Sequence, residues 1–344
     1  MHNVMGKIIG FGEIMLRLAP KGHLKFVQAN EFELNYTGAE ANVCVSLSNF
    51  GLQSDFVTKL PANDIAACAV KKLHQFGVGT DKIVWGGDRM GSYFLERGAS
   101  QRPSKVIYDR KYAAISMVNR DEFNWDKIFE DACWFHFTGI TPALGPNLPQ
   151  ICEDACIAAK ARSIPVSCDL NYRKNLWDTK TAYAVMTKLV KYCDVLIGNE
   201  EDAETTLGLK PEGTNVVAGA LNYDAYGSLA KKISEEYSIS HVAFTLRTSI
   251  SASVNGWAAM LYHDGTAYFS KDYTIQLVDR VGGGDSFGAG LIYALIKKYS
   301  SQDAIEFATA ASCLKQTMEM DFNLATVEEV RRLMEGDGSG RVQR

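Results

Sequence analysis

Asp279-Arg-Val-Gly-Gly-Gly-Asp-Ser-Phe-Gly-Ala-Gly290 follows an extended segment ending near Val278 and leads into Ser286 to Tyr299, where Leu291, Ala294 and Leu295 recur at helical spacing. A strand, a turn of three glycines and a helix N-terminus therefore meet. Gly282, Gly283 and Gly284 carry no side chains, so backbone N–H groups can approach an anion closely, and the helix adds unpaired N–H groups and the positive end of its dipole. This is a phosphate cradle. A carboxylate inside it would repel bound phosphate unless it faced a group that needs its charge, and a hydroxyl nucleophile is such a group. Asp285 can accept the alcohol proton as the oxygen attacks a γ-phosphoryl group, while the glycine N–H groups hold the developing charge. The helix N-terminus is expected to keep Asp285 ionised.

Outward from this turn, apolar strand patterns recur at Lys7 to Gly10, Asp55 to Lys59, Trp134 to Thr138, Pro165 to Asp169, Val195 to Gly198 and His241 to Leu246. Helical patterns stand between them, which predicts a mostly parallel α/β sheet. Ala39 to Phe50 and Asn63 to Phe76 read as amphipathic helices stopped by Gly51 and Gly77. Thr326 with Glu329 forms a capping box for a last helix, beyond which 335–344 is expected to be a flexible tail. Arg89 to Ser116 departs from the alternation: two extended segments flank the polar Gly98 to Ser104. Tyr93, Leu95 and Arg97 share a face of the first, and Val106, Tyr108, Arg110 and Tyr112 a face of the second. The pattern fits a surface hairpin or a lid whose polar face meets a ligand.

The 344 residues are 47% hydrophobic and 22% charged, enough for a large core, and the formal net charge of −4 without a Lys/Arg-rich run disfavours nucleic acid as a partner. No apolar run is long enough to span a bilayer and no secretory signal opens the chain, so a cytoplasmic location without a membrane partner is expected. Eight cysteines form no Cys-x-x-Cys pair and read as buried free thiols. Gly10-Phe-Gly12 lacks the third glycine of a dinucleotide fingerprint, Met15 standing in its place, and no P-loop motif occurs.

With these alternatives removed, Asp279 to Gly290 and Thr37-Gly-Ala-Glu-Ala-Asn42 resemble the late and early signatures of the ribokinase-like (PfkB) carbohydrate kinases, a likeness that runs from Ile9-Gly-Phe-Gly-Glu13 to about Asn323. The resemblance implies a three-layer α/β/α sheet with a small β-strand lid, formed mainly by 89–116 and parts of 13–37, in a single kinase domain over 1–334. It also implies ATP and Mg²⁺, a small-molecule sugar or sugar acid, and a homodimer. Within the family the likeness is to members that phosphorylate the terminal hydroxyl of 2-keto-3-deoxygluconate, with Asp285 as base and Gly282, Gly283 and Gly284 as the anion hole. A kinase of a neutral ketose or another sugar acid, or a catalytically silent sugar binder, are the alternatives.

A sugar acid presents a carboxylate that favours guanidinium groups. Arg110, with Tyr108, and Arg173, just beyond the strand pattern Pro165 to Asp169, resemble the family's acid-binding positions. Tyr93, Gly38 and Asn42 are expected in the same pocket. For the nucleotide, Asn199 to Asp202 resembles an Asn-x-x-Glu motif in which Asp202 would reach Mg²⁺ through water, although an acidic helix N-terminus reads the same way. Thr245, Arg247, Arg280 and Lys315 are the other expected nucleotide contacts. Arg247 and Arg280 depart from the family's commoner Gly and Thr.

Overall fold

Successive side chains along the parallel strands point to opposite sides of one sheet, and both sides are covered by helices. In the computed structural model, which describes residues 6–210, 223–336 and 338, the strands are β1 (Lys7–Phe11), β2 (Met15–Ala19), β3 (Glu33–Thr37), β4 (Ser54–Val57), β5 (Lys59–Leu60), β6 (Val84–Trp85), β7 (Ser92–Glu96) and β8 (Lys105–Asp109). They continue with β9 (Ala132–Thr138), β10 (Val166–Asp169), β11 (Val195–Gly198), β12 (His241–Ser249), β13 (Val254–His263), β14 (Thr266–Phe269) and β15 (Tyr273–Gln276). The helices are α1 (Ala39–Asn49), α2 (Asp64–Gln75), α3 (Trp125–Ile128), α4 (Leu148–Ala161), α5 (Thr179–Leu189), α6 (Glu200–Leu207), α7 (Tyr223–Tyr237), α8 (Gly283–Ile296), α9 (Ser301–Lys315) and α10 (Val327–Glu335).

The central sheet has the order β14-β13-β12-β11-β10-β9-β1-β4, parallel from β12 to β4. Ile9, Phe135, Phe137, Leu196 and Phe244 face α3 to α7, whereas Ile8, Trp134, Ile197 and Ala243 face α1, α8, α9 and α10. This period-two division makes an α/β/α sandwich with helices on both faces. Strand and helix bounds lie within about two residues of the sequence patterns, save that β12 runs on to Ser249 and α8 both begins and ends three residues early. The antiparallel edge is different: β13 pairs with β12 and carries β14 and β15 on its outer side. Its apolar run, Trp257 to Tyr262, does not alternate because both faces are buried.

Gly51 and Gly77 take positive φ just past α1 and α2, Asn63 caps α2, and the Thr326–Glu329 box caps α10. The glycines of Gly10-Phe-Gly12 serve packing: a Cβ at residue 10 would stand 2.6 Å from Sγ of Cys44, and one at residue 12 would overlap the Glu40 carboxylate. They let α1 lie close on β1.

A second sheet, β3-β2-β7-β8, stands beside the first. Its register sets Asn35, Arg17, Tyr93 and Tyr108 in one row and Leu34, Leu18, Phe94 and Ile107 in the neighbouring row on the opposite face. The two extended segments of 89–116 are thus β7 and β8. Tyr112 does not share their face, because β8 ends at Asp109 and Tyr112 takes a left-handed conformation in the turn beyond, largely in solvent. All eight cysteines are free, and all but Cys68 and Cys133 are buried. Among the described residues no helix is long and apolar enough to cross a membrane. The expected tail, 335–344, lies outside the described residues except for Glu335, Gly336 and Gly338.

A close contact between two helices falls inside the glycine-rich stretch 279–290. A Cβ at Gly290 would stand 2.8 Å from Cα of Ala308, backbone that cannot turn aside. Gly290→Val is therefore expected to lower the unfolding free energy by about 2–3 kcal/mol through forced separation of α8 from α9. Urea denaturation checks this; a loss below half that range would mean the helices part without cost.

Candidate active site

The carboxyl ends of β10, β11 and β12, the start of α8 and the inner face of the second sheet enclose a cavity of about 1090 Å³. Gly282 caps α8 with φ +83°, and any Cβ there would overlap the carbonyl oxygen of Asp321. Glycine is required at this position. The helix begins at Gly283, three residues earlier than the apolar spacing suggests, so Gly284 and Asp285 lie in its first turn with N–H groups that find no carbonyl inside the helix. Ser312 Oγ donates to the Gly283 carbonyl at 2.7 Å and fixes the turn from behind.

Asp285 points into this cavity and accepts a 2.6 Å hydrogen bond from Nδ2 of Asn42. Its proton affinity differs from the sequence expectation. Burial, reinforced by Glu40 and Asp321, outweighs the Asn42 hydrogen bond and Arg173 and pushes the carboxyl up to about 7. A helix N-terminus offers a carboxylate typically 0.3–1 kcal/mol, too little against full desolvation. Glu40 itself is absorbed in structure, accepting from the Thr138 N–H and from the hydroxyls of Thr138 and Thr141.

Beneath the turn lies a set of charges that no motif signalled. Arg17 is 1% exposed; its guanidinium donates to Asp279 Oδ2 at 2.5 Å and pairs with Asp321 Oδ1. Asp321 Oδ2 accepts from Tyr93 Oη and lies at the same 2.8 Å from Thr37 Oγ1. Asp279 ends the extended lead into the turn and Asp321 follows α9, so Arg17 joins three distant parts of the chain. In sequence it reads only as one more alternating residue of a strand.

On the second-sheet side, Tyr93 packs against Tyr108 with ring centroids 5.7 Å apart, and the Arg110 guanidinium lies 5.2 Å from the Tyr108 ring. Arg110 also pairs with Glu13, another residue absent from the sequence expectation. The pair is incomplete: among the described residues Nε of Arg110 and Oε1 of Glu13 are buried without partners. Gly38 meets them at the start of α1, where a Cβ would overlap the Glu13 carbonyl. Arg173 lines the opposite wall and donates to the neighbouring Tyr172 carbonyl at 2.9 Å.

At the other end, Asn199 caps α6, accepting from the Asp202 N–H at 2.9 Å, and Asp202 accepts from the Tyr172 N–H at 3.0 Å. Burial lifts Asp202 to about 6, and burial with the neighbouring charges of Asp202 and Asp285 raises Asp169. Thr245, Arg247 and Arg280 line this end, and burial together with the charge of Arg247 lowers the proton affinity of Arg280. Lys315 does not join them. Its ammonium is fully buried under the turn, donating to the Asp279 carbonyl at 2.9 Å, because α9 directs it inward toward Asp279 and Asp321. The structure thus gathers all the expected site residues except Lys315 around one cavity, and adds Glu13, Asp169, Gln316 and Asp321.

A glycine turn at a helix start with a carboxyl beside it, facing a cavity lined by aromatic and cationic groups of a small sheet, is the arrangement a phosphotransferase of a small polar substrate needs. The sequence profile of the pfkB family carbohydrate kinases matches residues 5–319, and the chain belongs to that family. It is 30% identical over 335 residues to the 2-dehydro-3-deoxygalactonokinase of Haloferax volcanii, covering 97% of this chain and 98% of that protein. The crystal structure of 2-dehydro-3-deoxygluconokinase from Thermotoga maritima superposes with a TM-score of 0.93 at 49% identity, covering 96% of this chain and 100% of the other. Fructokinase of Xylella fastidiosa, solved with bound ATP, shares the fold at 20% identity and a TM-score of 0.75, covering 96% and 98%. The chain is a carbohydrate kinase.

Removing the arginine beneath the turn would leave two buried acids facing each other. Arg17→Met is expected to cost about 3–5 kcal/mol of stability, the range for stripping one partner from a buried ion pair. Thermal and urea unfolding measure it, and a loss under 1 kcal/mol would show that Asp279 and Asp321 find other partners.

Proposed function

We propose that the protein transfers the γ-phosphoryl group of ATP to the terminal hydroxyl of 2-keto-3-deoxygluconate, with Asp285 as the general base. The observation that carries this reading is Asp285 itself, placed in the first turn of α8 between the glycine N–H groups and the wall bearing Tyr93, Tyr108 and Arg110. A hydroxyl held there meets its proton acceptor and the cradle together. The N–H groups of Gly284 and Asp285 would bind the transferring oxygens as charge moves onto them. Arg247 and Arg280 would hold phosphate oxygens farther along the cavity, with Asn199 and Thr245 beside them.

Asp169 and Asp202 supply the hard oxygen donors that suit Mg²⁺, an ion that keeps several of its waters. Asp202 would hold it through water. When bound, the ion neutralises phosphate charge that would otherwise repel the acids of this cavity.

Substrate class rests on two cations that line the cavity, Arg110 and Arg173. Arg173 and the unpartnered Nε of Arg110 are available to a carboxylate, while Oε1 of Glu13 can accept from a sugar hydroxyl. The small sheet β3-β2-β7-β8 would act as a lid that excludes water around the substrate. The name of the Haloferax relative favours a second reading within the same class, the galactonate stereoisomer, which offers the same carboxylate and terminal hydroxyl.

Two experiments test the reading. Asp285→Asn is expected to retain sugar-acid binding by calorimetry while phosphotransfer falls about a hundredfold or more. In the wild type, kcat/KM should fall tenfold per pH unit below about 7 and level off above it, since the ionised form is active and the free carboxyl has been raised to that value. Transfer that survives the substitution would remove Asp285 as base. The second experiment compares turnover over 2-keto-3-deoxygluconate, its galactonate stereoisomer, gluconate and fructose. Preference for either keto acid supports the substrate class, and preference for fructose would overturn it.

A further inference from the structure

Thr37 is buried at the end of β3, with Oγ1 lying 2.8 Å from Oδ2 of Asp321 and 2.9 Å from Oδ1 of Asn42. Nδ2 of the same amide is 2.6 Å from Oδ2 of Asp285. These three contacts do not close as a proton inventory. A threonine hydroxyl donates one proton, and here two acceptor oxygens claim it. Whichever it chooses, the other is left with lone pairs facing lone pairs at hydrogen-bond distance, between side chains that are themselves almost wholly buried. Asp321 already accepts from the Arg17 guanidinium at its Oδ1 and from the Tyr93 hydroxyl at its Oδ2, and neither contact supplies the second proton that Thr37 lacks.

Rotating the Asn42 amide by half a turn exchanges its oxygen and nitrogen and removes the conflict. Nδ2 then donates to Thr37, Thr37 donates to Asp321, and the amide oxygen faces Oδ2 of Asp285. That last contact is a hydrogen bond only if Asp285 carries a proton. The chain Asp285–Asn42–Thr37–Asp321 therefore has two arrangements: one fully paired with Asp285 protonated, and one with Asp285 ionised in which Thr37 must desert either Asn42 or Asp321.

We propose that Thr37 and Asn42 are positioning residues that couple the protonation of Asp285 to the hydrogen bonding of Asp321. A substrate hydroxyl that donates to Asp321 takes the place of the Thr37 hydroxyl there. Thr37 then turns to Asn42, the amide presents its nitrogen to Asp285, and the Asp285 proton leaves to water in the cavity. The base becomes ready when the sugar site is filled. Other charges facing Asp285 are Glu40 of α1, Asp169 of β10, Arg173 beyond it and Lys315 of α9. They set the level from which the relay moves it. The assignment rests on the reading of Asp285 as the base.

The test is a titration of the full-length, unliganded protein carrying ¹³C-carboxyl aspartate, with the Asp285 resonance assigned by its absence in Asp285→Asn. Thr37→Val strips two hydrogen bonds from the protonated arrangement and one from the ionised one, so the midpoint should fall by about half to one pH unit, the equivalent of one hydrogen bond. Tyr93→Phe leaves Asp321 more dependent on Thr37 and should raise the midpoint by a similar amount. Thr37→Ser should titrate as the wild type. Opposed shifts support the relay; unmoved midpoints, or shifts of the same sign, overturn it. If Thr37→Val does not fold, Tyr93→Phe against Thr37→Ser still decides. Phosphotransfer surviving in Asp285→Asn would defeat the base reading separately, whatever the midpoints do.

Discussion

A guanidinium with almost no contact with water holds this site in place. Arg17 lies between Asp279 and Asp321 at the meeting point of the second sheet, the lead into the glycine turn and the segment after α9. Burying such a group alone would cost several kcal/mol, so it is tolerable only because both carboxylates are fixed opposite its fork. Lys315 adds a second buried cation on the Asp279 carbonyl. Two cations and two acids therefore balance under the turn. The backbone of Gly282 can then pack against Asp321, which fixes where the cradle opens and where α8 begins.

The same burial determines the chemistry of Asp285. Two effects oppose each other at the start of α8: the helix end favours the carboxylate, and desolvation disfavours it. Helix-terminal stabilisation is limited to about 2 kcal/mol in favourable sites, whereas full burial can move a carboxyl by several pH units. Burial wins, helped by the negative charges of Glu40 and Asp321. A carboxyl that releases its proton near neutrality is a stronger acceptor than an exposed one, the property a general base for an alcohol requires.

What the sequence made legible follows from how each residue is recruited. Gly282 to Asp285 is a contiguous motif whose residue types dictate its local conformation, and α8 needed only a shift of its first turn. The central sheet showed itself through strands buried on both faces and spaced by helices. Asp321, Arg17 and Glu13 were hidden because each acts through a partner far away in the chain, and a single charged residue carries no spacing signal. Lys315 failed in the other direction: the family resemblance set it beside the nucleotide, and only the inward direction of its side chain reveals a structural ammonium. The strand β13 was obscured by burial on both sides, which erases alternation, and β14 and β15 are only four residues each.

As the proposed base, Asp285 would also link activity to stability. Its proton affinity is higher folded than unfolded, so the folded state loses stability from this group as pH rises from the ordinary carboxylate range to about 7. With Asp285 as the proposed base, the protein would work where that group is least comfortable. Asn42 reduces that penalty by donating to the ionised form, and Arg173 reduces it further. Neither can abolish it without lowering the proton affinity that makes Asp285 useful. The Arg17 cluster sits one layer deeper and holds the backbone rigid, which keeps Asp285 from escaping to solvent. A cradle fixed from below and a base strained from above are two consequences of the same exclusion of water.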